Sequence, residues 1–272
     1  MKSVSFRGGL GNQLFESCFF LHLKKVFPKD KIFGFYPCDA LSAHNGLEVQ
    51  KWFDIELPPR KWFTDLLGHF FYSWSKISRR LRLPSILISS DNYLNYNALF
   101  FNGYWMDSKY FQSVRPILFN KFDISSTNQE LLEEIRSSES VAVHVRRGDY
   151  LSEQFRDLYG GICTLDYYKK AVEVISNRFV SPHFYFFSDD VEFVQESFHY
   201  ESMTIVSHNH GNNSFYDLYL MSNCKGIIMA NSSFSCWASY LNCRDNNIVI
   251  CPSRMTNRAP LREMLLEEWI KI

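Results

Sequence analysis

Arg146 and Arg147, followed by Gly148 and Asp149, carry the clearest chemical potential in the chain. They follow the apolar, β-branched run Val141 to Val145, so a strand delivers two guanidinium groups at its carboxyl end. A planar guanidinium binds phosphate through two parallel hydrogen bonds, and His144 adds a third polar group to the same edge. Gly148 permits a sharp turn or close approach to a ligand, and Asp149 can orient an arginine or accept a proton. The competing reading makes Arg146, Arg147 and Asp149 a surface ion-pair cluster of little energetic weight.

Three further segments have the same strand-end character. In Arg7-Gly8-Gly9-Leu10-Gly11-Asn12-Gln13, backbone N–H groups at a helix start favour an anion, with Gly9 allowing close approach. The segment fits neither GxGxxG nor a P-loop, and a plain strand-to-helix turn is its alternative. After Phe187-Ser188, the carboxylates of Asp189 and Asp190 can accept hydrogen bonds from a guanine edge or ribose, or bind a metal; their alternative is capping the next helix. No D-x-D triplet occurs in the chain, which weakens a magnesium-dependent reading. In Asn231-Ser232-Ser233-Phe234, hydroxyl and N–H groups at a helix start make a phosphate seat, a role that N-capping does not exclude.

The elements that position these groups follow from the apolar spacing. Lys2–Phe6, the Gly-rich turn and Asn12–Phe27 read as strand, turn and helix, and Lys31–Tyr36 as a second strand. From residue 140, strands at 141–145, 183–187, 203–206, 226–230 and 247–250 alternate with helices at 165–179, 191–198, 213–223 and 234–241. Thr164 is the expected N-cap of the first of these, with Asp166 in its first turn. Residues 39–123 show no single clean period and predict several helices. This alternation predicts an α/β protein of two Rossmann-like domains facing a central cleft, an acceptor-side domain at 1–125 and a ligand-binding domain at 126–272, joined at a linker over Ser125–Asn128.

Composition narrows the partners. Lys and Arg together number 29, as do Asp and Glu, so no global positive field favours nucleic acid and any anion site must be local. Seven scattered cysteines without a CxxC pair predict reduced thiols rather than a disulfide framework or zinc site. The first residues have no long apolar stretch of a signal peptide, and no run reaches the ~20 apolar residues of a membrane span, so a cytoplasmic location is expected. His69 to Leu83, with Lys76, Arg79, Arg80 and Arg82 among aromatics, reads either as a partly buried helix with a solvated face or as an amphipathic helix on an anionic membrane.

Together, GGLGNQLFE, HVRRGDY, FFSDD and residues 217–242 (DLYLMSNCKGIIMANSSFSCWASYLN) resemble, in order, the α-1,2-fucosyltransferases of glycosyltransferase family 11. The resemblance implies a GT-B-like architecture, GDP-L-fucose as donor, a β-galactoside acceptor, free or lipid-linked, in O-antigen-type synthesis, inversion at the anomeric carbon, no cofactor and no required metal. It assigns His144 to the nucleotide, Arg146 and Arg147 to the diphosphate, and Asp190 to the guanine. Ser232, Ser233 and Phe234 become the phosphate seat, and Asn12 approaches the reacting centre. Asp149 is the first candidate base, or only a brace for the arginines, and Glu153 the second. The membrane anchor of animal members is not expected here. Two other classes remain open on these residues: a glycoside or phosphoester hydrolase pairing Asp149 with Asp189, and a non-catalytic nucleotide-sugar binding protein.

Overall fold

A computed structural model describes residues 1–42, 44–81, 87–258 and 262–272, which form two compact units, Met1–Lys121 and Phe122–Ile272. In the first unit, β1 (Lys2–Ser5) leads into α1 (Leu10–Val26), β2 (Ile32–Phe35), the short helices α2 (Cys38–Ser42) and α3 (Val49–Trp52), and the long α4 (Trp62–Leu81). Then come β3 (Ile88–Ser89), β4 (Phe100–Phe101) and α5 (Ser108–Val114). The sheet order is β2-β1-β4-β3 with every pairing parallel. Leu14, Phe15, Cys18, Phe19 and Leu23 bury most of α1, and Phe19 stacks on Trp105 with ring centres 3.9 Å apart. Phe27 ends α1 before Pro28, whose ring disfavours helical backbone in the residue before it.

The second unit opens with α6 (Ser126–Ser137) and the central strand β5 (Glu139–Val145). It continues through α7 (Arg156–Tyr159), α8 (Leu165–Ser176), β6 (Pro182–Ser188), α9 (Val191–Ser197) and β7 (Met203–Val206). The chain returns through α10 (Phe215–Met221), β8 (Gly226–Ile228), α11 (Ser233–Tyr240), β9 (Ile248–Cys251) and β10 (Ile270–Lys271). Its sheet is parallel throughout, in the order β10-β9-β8-β5-β6-β7. Counted from β5, that is the doubly wound 3-2-1-4-5-6 order of a Rossmann unit, whose topological switch lies between β5 and β8. β5 is buried on both faces, which explains its unbroken apolar run. Val141, Val143 and Val145 pack on Tyr168, Ala171 and Ile175 of α8, and full burial of each such side chain contributes roughly 1.5–3 kcal/mol.

Strand and helix positions from residue 140 onward agree with the expected ones to within a few residues, and Thr164 caps α8 by accepting from the Tyr167 N–H. The expected linker is corrected. Ser125 is the N-cap of α6, accepting from the Asn128 N–H, and Asn128 is buried in a reciprocal amide pair with Asn209, the two bonds measuring 2.9 and 3.0 Å. Polar residues read as solvated spacers are here a cap and a satisfied buried pair. Arg82 and Leu83 of the expected basic helix lie outside the described residues, as does part of the segment that follows it. Among the described residues all seven cysteines are free, and no helix is long and apolar enough to cross a membrane.

Candidate active site

The switch point brings three separated motifs to one edge of the second sheet. β5 and β6 run side by side to Val145 and Ser188, and β8 flanks β5 on the other side. The residues after these strands, 146–150, 189–190 and 229–233, therefore emerge as adjacent loops at the carboxyl end, where ligands of open α/β sheets bind.

Carboxylates hold both arginines in place. Arg146 spans Asp149 (Nη2 to Oδ1, 2.8 Å) and Asp189 (Nη1 to Oδ2, 3.0 Å), and its guanidinium carbon lies 5.7 Å from the centre of the Tyr150 ring. Arg147 donates from Nε to Asp190 at 2.9 Å and from its backbone N–H to Asp189 at 2.9 Å, while its guanidinium carbon lies 3.6 Å from the centre of the Phe193 ring. Asp190 also caps α9 by accepting from the Phe193 N–H. The Arg147 side chain and that N–H both hold its pKa below the usual carboxylate range. The ion-pair and capping alternatives are thus realised, and they orient the guanidinium groups rather than replace them. Both arginines stay about one-third exposed. A Cβ on Gly148 would lie 2.6 Å from the Asp189 carboxylate, so glycine is required by the brace itself.

His144, the penultimate residue of β5, lies on the sheet face opposite the valines, 7% exposed, with its ring centre 5.7 Å from that of Phe234. Its Nδ1 is buried without a hydrogen-bond partner in the described structure. Burial first, and then the Arg146 charge, push its pKa down to about 4 against the opposing pull of Asp189, so the ring is neutral at pH 7. Its carbonyl accepts from the Tyr168 hydroxyl at 3.0 Å, fixing the strand end to α8.

Across the switch point, Ser232 caps α11 through the Phe234 N–H at 3.2 Å. The Asn231 side chain donates to the carbonyls of Tyr159 and Met255, and its own carbonyl accepts from the Tyr150 hydroxyl at 3.1 Å. Asn231 therefore ties the two loops together beside Ser232, Ser233 and the start of α11, whose dipole favours an anion. Tyr150 stacks on Tyr159 at 4.5 Å, and burial raises its pKa, keeping it a neutral donor. Glu153 is exposed.

Gly9 and Asn12 belong to the first unit, where Gly9 is the N-cap of α1 and makes no side-chain cap bond. The positive φ of +75° falls on Gly8. Gln13, passed over in the sequence, knits this turn: its amide nitrogen donates to the carbonyls of Gly8 and Gly46, and its oxygen accepts from the N–H groups of Glu48 and Val49. Glu16 also escaped notice. It is fully buried beneath the turn, accepts from the Arg7 N–H at 2.9 Å, and has a pKa pushed well up by burial. A helix of mostly apolar residues gives no sequence signal that one polar member faces a turn. A shallow depression at Phe198, Tyr200 and Met203 lies at the start of β7, the opposite end of the sheet from this edge.

The two α/β units, the second with Rossmann strand order, define a glycosyltransferase architecture of the GT-B type. The same fold is seen in fucosyltransferase NodZ from Bradyrhizobium, at 13% identity and a TM-score of 0.51 over 88% of this chain and 92% of that one. The family model for glycosyl transferase family 11 matches residues 61–272, most of the chain, and the chain belongs to that family. An α-1,2-colitosyltransferase of Escherichia coli is 35% identical over 63% of this chain and 62% of its own length. The O-antigen biosynthesis glycosyltransferase WbnK of Escherichia coli is 26% identical over 62% of this chain and 59% of its own length. Galactoside α-(1,2)-fucosyltransferase 2 of Rattus norvegicus is 27% identical over 52% of this chain and 43% of its own length. The chain therefore spans about three-fifths or less of these relatives.

Proposed function

We propose that this chain transfers L-fucose from GDP-β-L-fucose to the 2-hydroxyl of a terminal β-galactoside, with inversion and without a required metal, during cytoplasmic assembly of an O-antigen-type polysaccharide. The observation that carries the reading is the pair Arg146 and Arg147, braced by Asp149, Asp189 and Asp190 at the topological switch of a Rossmann unit. An α-linked product from a β-linked donor requires a single displacement. The galactose hydroxyl oxygen bonds to the fucose anomeric carbon as the bond to the diphosphate breaks. The electron pair leaves on GDP and the hydroxyl proton passes to a base.

Each named group then has a part. Arg146 and Arg147 meet the charge building on the β-phosphate, in the role a metal fills in other transferases. The start of α11, with Ser232 and Ser233, seats a phosphate, Asp189 and Asp190 face the nucleoside, and neutral His144 offers Nδ1 as a hydrogen-bonding group. Asp149 takes the proton only by loosening its hold on Arg146, so we assign it first to the brace. Since one guanidinium engages both Asp149 and Asp189, the pair suits positioning better than the separated acid and base of a glycoside hydrolase.

Similarity to the colitosyltransferase favours one second reading, a colitosyl donor, which differs from fucosyl by one ring hydroxyl. A site built to bond that hydroxyl discriminates by roughly 10⁴-fold or more. Incubating the protein with GDP-fucose or GDP-colitose in EDTA, against Galβ1,3- and Galβ1,4-linked acceptors, separates the readings. We expect fucosyl product. Preference for the colitosyl donor moves the assignment to the second reading, and a strict need for Mg²⁺ or Mn²⁺ removes the metal-independent mechanism.

A further inference from the structure

In the first unit, α4 covers one end of the sheet with one face only. Phe71 stacks on Phe100 of β4 with ring centres 5.7 Å apart, Tyr72 packs with Phe35 of β2, and Thr64 is buried. At 3.6 residues per turn, Trp62, Leu66, Phe70, Trp74, Ile77 and Leu81 fall on a different face, in a continuous stripe running the whole helix. All six are exposed, Trp62 by 79%, Leu66 by 65% and Phe70 by 61%. Large apolar residues exposed in such a row mark an interaction surface, whereas scattered ones need no explanation.

The charge around the stripe identifies what covers it. His69, Lys76 and Arg80 lie along one margin, all exposed, and Lys61 stands just before the helix. The only acidic residue of the helix, Asp65, is bonded to Arg60 at 2.7 Å. A second copy packed antiparallel on this face would set cationic margin against cationic margin, and in a parallel pairing the opposite margin, at Leu67, has no acidic group to meet it. An anionic surface complements it. Two tryptophans in the stripe also suit the boundary between headgroups and acyl chains, where an apolar ring body and a polar N–H are both accommodated. The charges interrupting the helix exclude a span but not a helix lying in the interface plane.

We propose that the exposed face of α4 docks the protein on a bilayer rich in anionic lipid, with the apolar stripe in the interface and Lys76 and Arg80 against the headgroups. The proposal is independent of which sugar is transferred. It places the protein where a lipid-linked acceptor would be presented.

Flotation of the full chain with vesicles of phosphatidylcholine, alone or with about a third phosphatidylglycerol, tests it. The expected result is binding to the anionic vesicles at least about tenfold tighter than to the neutral ones, weakened by salt. Combined Leu66→Ser and Phe70→Ser substitution should reduce that binding about tenfold or more with an unchanged thermal midpoint, since both side chains are exposed. Combined Lys76→Glu and Arg80→Glu substitution should abolish the preference for anionic lipid. Wild-type protein that fails to float with anionic vesicles overturns the proposal, as does binding indifferent to Leu66→Ser and Phe70→Ser. A dimer in light scattering that those serine substitutions dissociate, without vesicle binding, assigns the face to a second copy instead.

Discussion

Arg146 is held on two sides by carboxylates, and the geometry of the planar fork is what those contacts fix. Arg146→Lys replaces a fork with a single rotating ammonium, and we expect transfer to fall about 10²–10³-fold with the thermal midpoint little changed. Steady-state rates beside a melting curve check this, and a variant within a few-fold of wild type would remove Arg146 from the phosphate clamp. His144 makes a stability prediction of definite sign. Folded, it protonates only near pH 4, while in the unfolded chain an ordinary histidine protonates near 6.5. Between those values the unfolded state takes up the proton first, so the wild type loses stability as pH falls through that window, by about 3 kcal/mol in total. Buried Asp217, with its pKa pushed up by burial to about 7, works in the opposite direction. The contribution of His144 is therefore read as a difference. In His144→Asn the cost relative to wild type should shrink as urea titrations move from pH 7 towards pH 4.5, and a pH-independent difference would contradict the buried neutral ring.

At the scale of elements, two helix starts separate stability from function. Thr164 caps α8 and Ser232 caps α11, each through a side-chain oxygen accepting a backbone N–H. Replacing either with alanine should cost about 1 kcal/mol in stability. Only Ser232→Ala should also raise the KM for the donor, because α11 starts directly after β8 at the proposed phosphate seat while α8 starts beyond α7; equal kinetics for the two variants would count against the phosphate seat. Most elements of the second unit were legible in the sequence because parallel strands buried on both faces read as apolar runs separated by amphipathic helices, as Val141 to Val145 and Leu165 to Ile175 illustrate, whereas α6, α7 and the two-residue β10 were not expected. Residues 39–121 were not. β3 and β4 are two residues each, too short to show a period, and α4 is apolar on two faces, which blurs a single amphipathic signal. The candidate site was legible as motifs at strand ends, but its internal bonding was not. Nothing in the spacing of Gly148 and Asp189, 41 residues apart, announces that one must be glycine because the other lies against it.

For the whole molecule, the sheet order does most to join sequence to chemistry. A strand order with β5 between β6 and β8 is what brings HVRRGD, SDD and NSSF to one edge although 81 residues lie between the end of the first and the start of the last. The central claim is that this edge grips the diphosphate of a nucleotide sugar and that the braced arginines release it during transfer to galactose. The most direct measurement follows GDP-fucose with a β-galactoside acceptor in EDTA and reads the product linkage by NMR, for wild type and Arg146→Lys side by side. The account predicts an α-1,2-linked fucosyl galactoside from the wild type and about 10²–10³-fold less of it from the variant. GDP binding without any transferred sugar, or equal release of free fucose whether or not acceptor is present, would contradict it.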